Sequence, residues 1–248
     1  MSKRDPRRVA IVTGGAGGLG LAITRALISG GCAVLLTDID GDAAAKAAAS
    51  VEGECKATEL DVTRKPEFEK VLELACSHWG GAGILVNNAA LTKTTPIFDI
   101  SGDEFDHVVA IALKGTFLGC QVLGRYFADQ RYGRIINMAS LAGQNGGAAT
   151  GAHYAAAKGG ILTLTKVFAR ELASAGVTVN AISPGPLDLD SVRNLLPPDK
   201  LASVVQSIPV GTLGDAGFVA RLIELLTSPD AVSATGATYD LNGGLYLR

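Results

Sequence analysis

Two side chains with chemistry stand four residues apart in the stretch HYAAAKGG at 153–160, where Tyr154 and Lys158 are separated only by alanines and followed by glycines. On a helix, positions i and i+4 share a face, so the phenol and the ammonium are expected side by side. A free phenol titrates near pH 10, and using its anion at pH 7 requires roughly three units, about 4 kcal/mol. A positive charge about 4 Å away contributes on that order at an effective dielectric near 20. Burial works against the anion, so the lysine is expected to make the tyrosine usable as a general acid/base. Ser140 lies fourteen residues before Tyr154, just after the apolar run 134–139. A hydroxyl at a strand's C-terminal end sits where open α/β sheets bind ligands, and it can steady an oxygen that gains charge. Taken singly, each residue has a plain structural use. A Tyr/Lys pair at this spacing is common on amphipathic surfaces, and serine is common at strand ends.

A second constellation gives the first its context. The apolar run 9–13 leads into TGGAGGLG at 13–20, with Gly14, Gly18, Leu19 and Gly20 opening a helix-like segment. Glycines there let backbone N–H groups and the helix N-terminus face a pyrophosphate. The stretch lacks the G-K-[ST] of a nucleoside-triphosphate loop. Asp38 follows Gly20 by eighteen residues, at the end of the second apolar run. There it can accept hydrogen bonds from both hydroxyls of an adenosine ribose or cap the helix that follows, a task Asp40 could perform equally well. The ribose is the favoured partner. A 2′-phosphate beside this carboxylate would meet a repulsion on the order of several kcal/mol, and neither the glycine turn nor residues 32–42 contain Lys or Arg to offset it. The expected cofactor is therefore NAD rather than NADP.

The elements that must position these groups follow from periodicity. Runs at 9–13, 33–37, 55–61, 83–86, 134–139, 177–183 and 237–241 read as about seven strands, and 18–29, 41–51, 64–78, 103–130, 153–174 and 215–227 read as helices. Near-continuous apolar strands alternating with helices specify an α/β fold, a doubly wound parallel sheet of Rossmann type with helices on both faces. No linker or repeat divides residues 1–248, so one domain is expected. A long proline-bearing interruption at 184–212 reads as a lid with a short helix over an apolar site, carried by Leu187, Leu189, Val192, Leu195, Leu196, Leu201, Val204 and Val205.

Of the 248 residues 48% are hydrophobic, and the net charge of −2 offers no electrostatic footprint for nucleic acid or an anionic membrane. The opening MSKRDPRR precedes an apolar run too short for a signal core or membrane span. Cys32, Cys55, Cys76 and Cys120 are at least twenty residues apart and the three histidines are scattered. They predict buried thiols in a reducing, cytoplasmic compartment and no metal site.

Together these motifs resemble the short-chain dehydrogenase/reductase superfamily over essentially the full length. The likeness extends to LDVT at 60–63, NNAA at 87–90, SPGP at 183–186 and TGATYDLNGG at 235–244. It implies that Asp61 and Val62 flank the adenine, and that Asn88 lies beside the nicotinamide-side ribose, which Tyr154 and Lys158 also bind. Leu187, after the Pro184–Gly185 turn, is implied to contact the carboxamide end. The resemblance also implies homotetramers or homodimers joined through 103–130 and 153–174. Two positions depart from the family pattern. Ala112 stands where an asparagine usually holds a water linking the lysine to solvent. Leu189 stands where a threonine often bonds the cofactor, so the lid should be held less tightly.

The expected activity is hydride transfer between NAD(H) and a secondary alcohol or ketone, with Ser140, Tyr154 and Lys158 as the catalytic set. A 3-oxoacyl-thioester reductase of the acyl carrier protein type is the alternative, although that subgroup usually uses NADPH. A catalytically impaired NAD-binding protein is the third reading, kept open by Ala112. Gln144 and Asn145 are candidate substrate donors. Lys93 and Arg193 could anchor a carboxylate, though solvated surface is the favoured role of both.

Overall fold

The structure, a computed structural model, describes residues 5, 8–147, 150–194 and 197–248. Seven parallel strands form one sheet: β1 (Val9–Thr13), β2 (Ala33–Asp38), β3 (Cys55–Glu59), β4 (Ile84–Asn87), β5 (Gly133–Met138), β6 (Val177–Pro184) and β7 (Thr238–Leu241). Their spatial order is β3-β2-β1-β4-β5-β6-β7. The helices are α1 (Gly18–Ser29), α2 (Gly41–Ala49), α3 (Lys65–Trp79), α4 (Gly102–Val109), α5 (Gly115–Asp129), α6 (Ala142–Asn145), α7 (Ala152–Leu172), α8 (Asp190–Arg193), α9 (Pro198–Ser207) and α10 (Ala216–Leu226).

The strand pattern explains the two-sided core. In β1, Val9 and Ile11 join a cluster with Phe68, Val71, Leu123, Phe127 and Leu172, which come from α3, α5 and α7. Ala10 and Val12 join the opposite cluster with Ile23, Leu27, Val219 and Ile223 of α1 and α10. Both faces of the inner strands are covered, which is why their sequences show no polar alternation. The edges behave differently. Strand β3 alternates between half-buried and exposed residues, and all of β7 is half-buried.

The expected helix at 103–130 is interrupted. Between α4 and α5 the backbone takes a π-turn at Ala110–Lys114. The two halves share α7 as a neighbour, but only α5 also packs closely on β4, β5 and α3. One extra residue in the turn rotates the second half onto its own partners, and a 3.6-residue pattern does not reveal that. Close approach on the α5 side needs small residues. A Cβ at Gly119 would lie 2.4 Å from Asn87 Oδ1, and one at Gly115 would lie 2.9 Å from Val62 Cγ2. By length and composition alone Gly102–Asp129 could cross a bilayer, but 56% of its most apolar window is buried within the fold.

Residues 184–212 carry α8 and α9, two short helices where one was expected. The segment is pinned at its base, where Asp188 N–H donates to Gly214 O and Gly214 N–H to Pro186 O, both at 2.9 Å. Leu187 is buried, while Leu189, Val192, Leu201, Val204 and Val205 are half-buried. Leu195 and Leu196 lie outside the described residues. None of the four cysteines is in a disulfide; Cys32 and Cys120 are buried and Cys55 and Cys76 partly so. Because every strand is parallel, Thr13, Asp38, Asn87, Met138 and Pro184 all end at one edge of the sheet, and the order reverses between β1 and β4 there.

Candidate active site

The glycine turn lies at that reversal. Gly14 has φ +62°, and a Cβ on it would sit 2.9 Å from Ala89 Cα. At Gly20 a Cβ would come within 2.2 Å of Gly14 O and 2.8 Å of Gly15 Cα. Helix α1 starts after Gly17, which adds no side-chain cap, and its first turn contains no acid. Its leading N–H groups therefore present partial positive charge to whatever lies beyond the turn, which is the donor set a pyrophosphate needs. Replacing Gly20 by Ala forces backbone against backbone. We expect Gly20→Ala to weaken binding of a nicotinamide dinucleotide at least about tenfold and to lower the melting temperature, since overpacking of this kind costs about 1–3 kcal/mol. Fluorescence titration and thermal melts would measure both.

Asn88 also has a structural task in the glycine turn. Its Nδ2 donates to Thr13 O at 3.0 Å and Gly14 O at 2.9 Å, and its N–H donates to Thr13 Oγ1 at 3.0 Å. These carbonyls lie past the last β1–β4 strand pair, Val12 with Val86, so the side chain completes the pairing and fixes the glycine turn. Gly18 packs against Leu189, whose Cδ2 would lie 3.1 Å from a Cβ placed there. Leu19 is half-buried against the α1 side of the sheet.

Asp38 Oδ2 accepts the N–H of Ala16 in the glycine turn at 3.1 Å. Asp40, not Asp38, caps α2 by accepting Ala43 N–H at 2.9 Å. Of the two uses open to Asp38 in the sequence, helix capping is thus already filled. Next along the edge, Asp61 Oδ1 accepts from Thr63 N–H at 2.9 Å and Thr63 O–H at 2.7 Å. Val62 is 8% exposed and touches α5.

The reactive groups converge as the spacing predicts, with one electrostatic difference. Tyr154 and Lys158 share a face of α7, and the Lys158 Nζ lies 5.6 Å from the Tyr154 ring centroid. Lys158 is 3% exposed and donates to the backbone carbonyl of Met138 at the end of β5. Burial pushes its ammonium down to about 8. Burial also pushes the Tyr154 phenol above its ordinary value, and hydrogen bonds with Ser140 and Thr92 oppose that only in part. In this resting arrangement Lys158 does not produce the expected lowering: its ammonium is turned to a carbonyl, and burial of the phenol outweighs its two hydrogen bonds although Tyr154 as a whole residue is only half-buried. Ser140 is half-buried, and its Oγ accepts Ala142 N–H at 3.1 Å.

The small residues around Tyr154 have a packing purpose as well. A Cβ at Gly143 would lie 2.5 Å from the Lys158 carbonyl carbon, and one at Gly160 would lie 2.8 Å from Leu113 Cδ1. The serine-bearing segment and the π-turn can thus lie directly on α7. Thr92 and the Met138 carbonyl are members of the site that the sequence analysis missed. Thr92 sits in a loop without periodicity, and a main-chain carbonyl leaves no mark in a sequence.

Gln144 is a second correction. Its Nε2 donates to Asp240 Oδ1 at 2.7 Å and its Oε1 accepts Ser183 O–H at 3.0 Å. It braces α6 against β6 and β7 and is not a free substrate donor. Asn145 is exposed and accepts Gly147 N–H at 2.9 Å. Arg193 pairs with Asp188 at 2.6 Å on the surface, and Lys93 is exposed. Pro184 is buried and its carbonyl accepts Leu141 N–H at 2.9 Å, while Gly185 N–H donates to Leu241 O at 2.9 Å. Leu187 bridges to Gly214. Ala112 is fully buried in the π-turn, its carbonyl accepting Thr116 O–H at 2.7 Å.

The chain is similar to known proteins over nearly its whole length. A family model described as enoyl-(acyl carrier protein) reductase matches residues 14–246. The 3-oxoacyl-[acyl-carrier-protein] reductase of Vibrio cholerae is 36% identical over 240 residues, covering 97% of this chain and 98% of its own. Its Escherichia coli counterpart is 34% identical over 242 residues, with the same coverage. A crystal structure of a short chain dehydrogenase from Bacillus anthracis superposes with a TM-score of 0.87 at 30% identity, covering 98% of both chains.

Proposed function

This chain belongs to the short-chain dehydrogenase/reductase family and is an oxidoreductase, and from that premise we propose that it reduces a ketone to a secondary alcohol with NADH. The observation that carries this reading is the Tyr154 phenol, hydrogen-bonded with Ser140 and Thr92 on the face of α7 that also carries Lys158. A nicotinamide dinucleotide supplies the hydride. Tyr154 gives its proton to the carbonyl oxygen, and the hydroxyl of Ser140 donates to that oxygen as it gains charge. The Lys158 ammonium stabilises the phenolate left behind until solvent reprotonates it. A protonated phenol suits the acid role that ketone reduction requires.

The cofactor would be held by the glycine turn, Gly14 to Gly20, with Asp38 beside the adenosine ribose. The Asp38 carboxylate at the turn supports NADH over NADPH. We expect NADH to bind at least about tenfold tighter than NADPH, a difference of about 1.4 kcal/mol or more. Nicotinamide fluorescence titrations would measure it, and equal or tighter NADPH binding would remove Asp38 from this role. Asp61, Val62, Pro184, Gly185 and Leu187 border the same edge of the sheet, and we assign them to the cofactor's walls.

The relatives' names favour a specific form of this reading, in which the ketone is a 3-oxoacyl thioester. Acetoacetyl-coenzyme A and simple ketones, each assayed with NADH and NADPH, would separate the two. Turnover of ketones but not of the thioester would reject the thioester form.

We further propose that the whole chain is one catalytic domain, with 184–212 as the substrate lid, acting in the cytoplasm as a homodimer or homotetramer. Cysteines outside any disulfide suit a reducing compartment. Val109, Leu113, Phe117 and Leu164 line an apolar groove between the π-turn region and α7, and Phe117 is 37% exposed there. That groove supports assembly through these helices.

A further inference from the structure

His153 directly precedes Tyr154 and is fully buried, yet nothing in the reaction above uses it. Both ring nitrogens are engaged. Nδ1 accepts the Tyr154 backbone N–H at 2.9 Å, and Nε2 lies 2.9 Å from Glu104 Oε1. Since Nδ1 must accept, the proton sits on Nε2 and Glu104 is its acceptor. The Tyr154 N–H belongs to the first turn of α7, where no preceding helical carbonyl can receive it, and the N-cap residue Gly151 brings no side chain. His153 therefore closes the start of the helix that carries the phenol.

Glu104 is diverted from a more ordinary task. The sequence S-G-D-E at 101–104 reads as a capping box, and Ser101 Oγ does accept Glu104 N–H at 3.1 Å. The Glu104 carboxylate, however, is turned to His153 and Thr95, and these bonds hold it below its usual range. Gly151 N–H donates to Lys93 O at 2.8 Å. A Cβ on Gly151 would lie 2.3 Å from His153 Cε1, so only glycine admits the ring. The loop bearing Thr92 and Thr95, the start of α4 and the first turn of α7 are thereby joined through one imidazole.

We propose that Glu104 and His153 form a positioning pair that sets the Tyr154 phenol against Ser140 and Thr92 by fixing the Tyr154 main chain from α4. This rests on the catalytic role given to Tyr154 above. The test uses the full chain with acetoacetyl-coenzyme A and NADH. Glu104→Ala and His153→Ala should lower kcat roughly 10- to 100-fold, as small misplacements of a reacting group do, while the NADH dissociation constant stays within about twofold. Glu104→Gln keeps a carbonyl acceptor for Nε2–H and should stay within about threefold of the parent. Amide hydrogen exchange supplies a readout independent of turnover: the Tyr154 N–H should be protected in the parent and in Glu104→Gln and exchange faster in Glu104→Ala. An unchanged kcat in Glu104→Ala would overturn the proposal, and so would Glu104→Gln as slow as Glu104→Ala. Loss of NADH affinity in step with kcat would do the same. If His153→Ala does not fold, the two Glu104 variants decide. If the parent turns over no ketone, the functional reading fails separately, and unprotected Tyr154 exchange would still reject the pair.

Discussion

Tyr154→Phe is expected to lower ketone reduction by about 10²- to 10⁴-fold, the range that a positioned proton donor contributes, and to leave NADH binding almost as before. The substitution removes one oxygen and keeps the ring. The phenol's neighbours are hydroxyls, Ser140 and Thr92, which can turn to water or to each other when it is gone. Phenylalanine also suits the site's burial, so stability should hold or rise. Single-turnover reduction, with NADH affinity and a thermal melt measured on the same preparation, separates loss of chemistry from loss of fold. Activity retained in the folded variant would remove Tyr154 from the mechanism.

Lys158→Met is expected to cost activity and to add stability. The lysine is 3% exposed and its ammonium is pushed down from 10.5 to about 8. At 1.36 kcal/mol per unit, that shift corresponds to about 3 kcal/mol against the folded state. The sign follows from proton uptake. Between about pH 8 and 10.5 the unfolded chain holds the proton that the folded chain has released, so stability rises with pH across that window. The penalty is fully present below pH 8 and gone above 10.5. Methionine avoids it but leaves the Met138 carbonyl without this donor, a loss of about 1 kcal/mol. The net gain near pH 7 is then about 2 kcal/mol, or roughly 4–8 °C in melting temperature for a chain of this size. The gain should shrink toward pH 10. A melting temperature that falls at pH 7 would show that the carbonyl bond outweighs the buried charge. Reduction by the variant should drop at least about 10²-fold, because the phenolate left after proton transfer loses its cation. In the parent enzyme, the same titration makes reduction decline as pH rises through about 8.

The features legible in the amino-acid order are those governed by local rules. Continuous apolar runs at 9–13 and 177–183 mark strands covered on both faces. The glycines at 14 and 20 mark a turn that admits no side chain. The i, i+4 spacing of Tyr154 and Lys158 puts them on one face of α7 wherever that helix lies. Chain order then brings the turn, Asp38, Ser140 and Pro184 to a single edge, because parallel strands end together.

How the polar groups near that edge are spent depends on the packing of the whole chain. Gln144 reads as a substrate donor, but it binds Asp240 and Ser183, and Asn88 binds the Thr13 and Gly14 carbonyls, partners 39 to 96 residues away. The Glu104 carboxylate meets His153, 49 residues on. The Tyr154 phenol is shifted upward because burial outweighs its hydrogen bonds. A hydrogen bond or a desolvation cost depends on what the fold brings within about 3 Å, and no spacing along the chain encodes which distant partner arrives first.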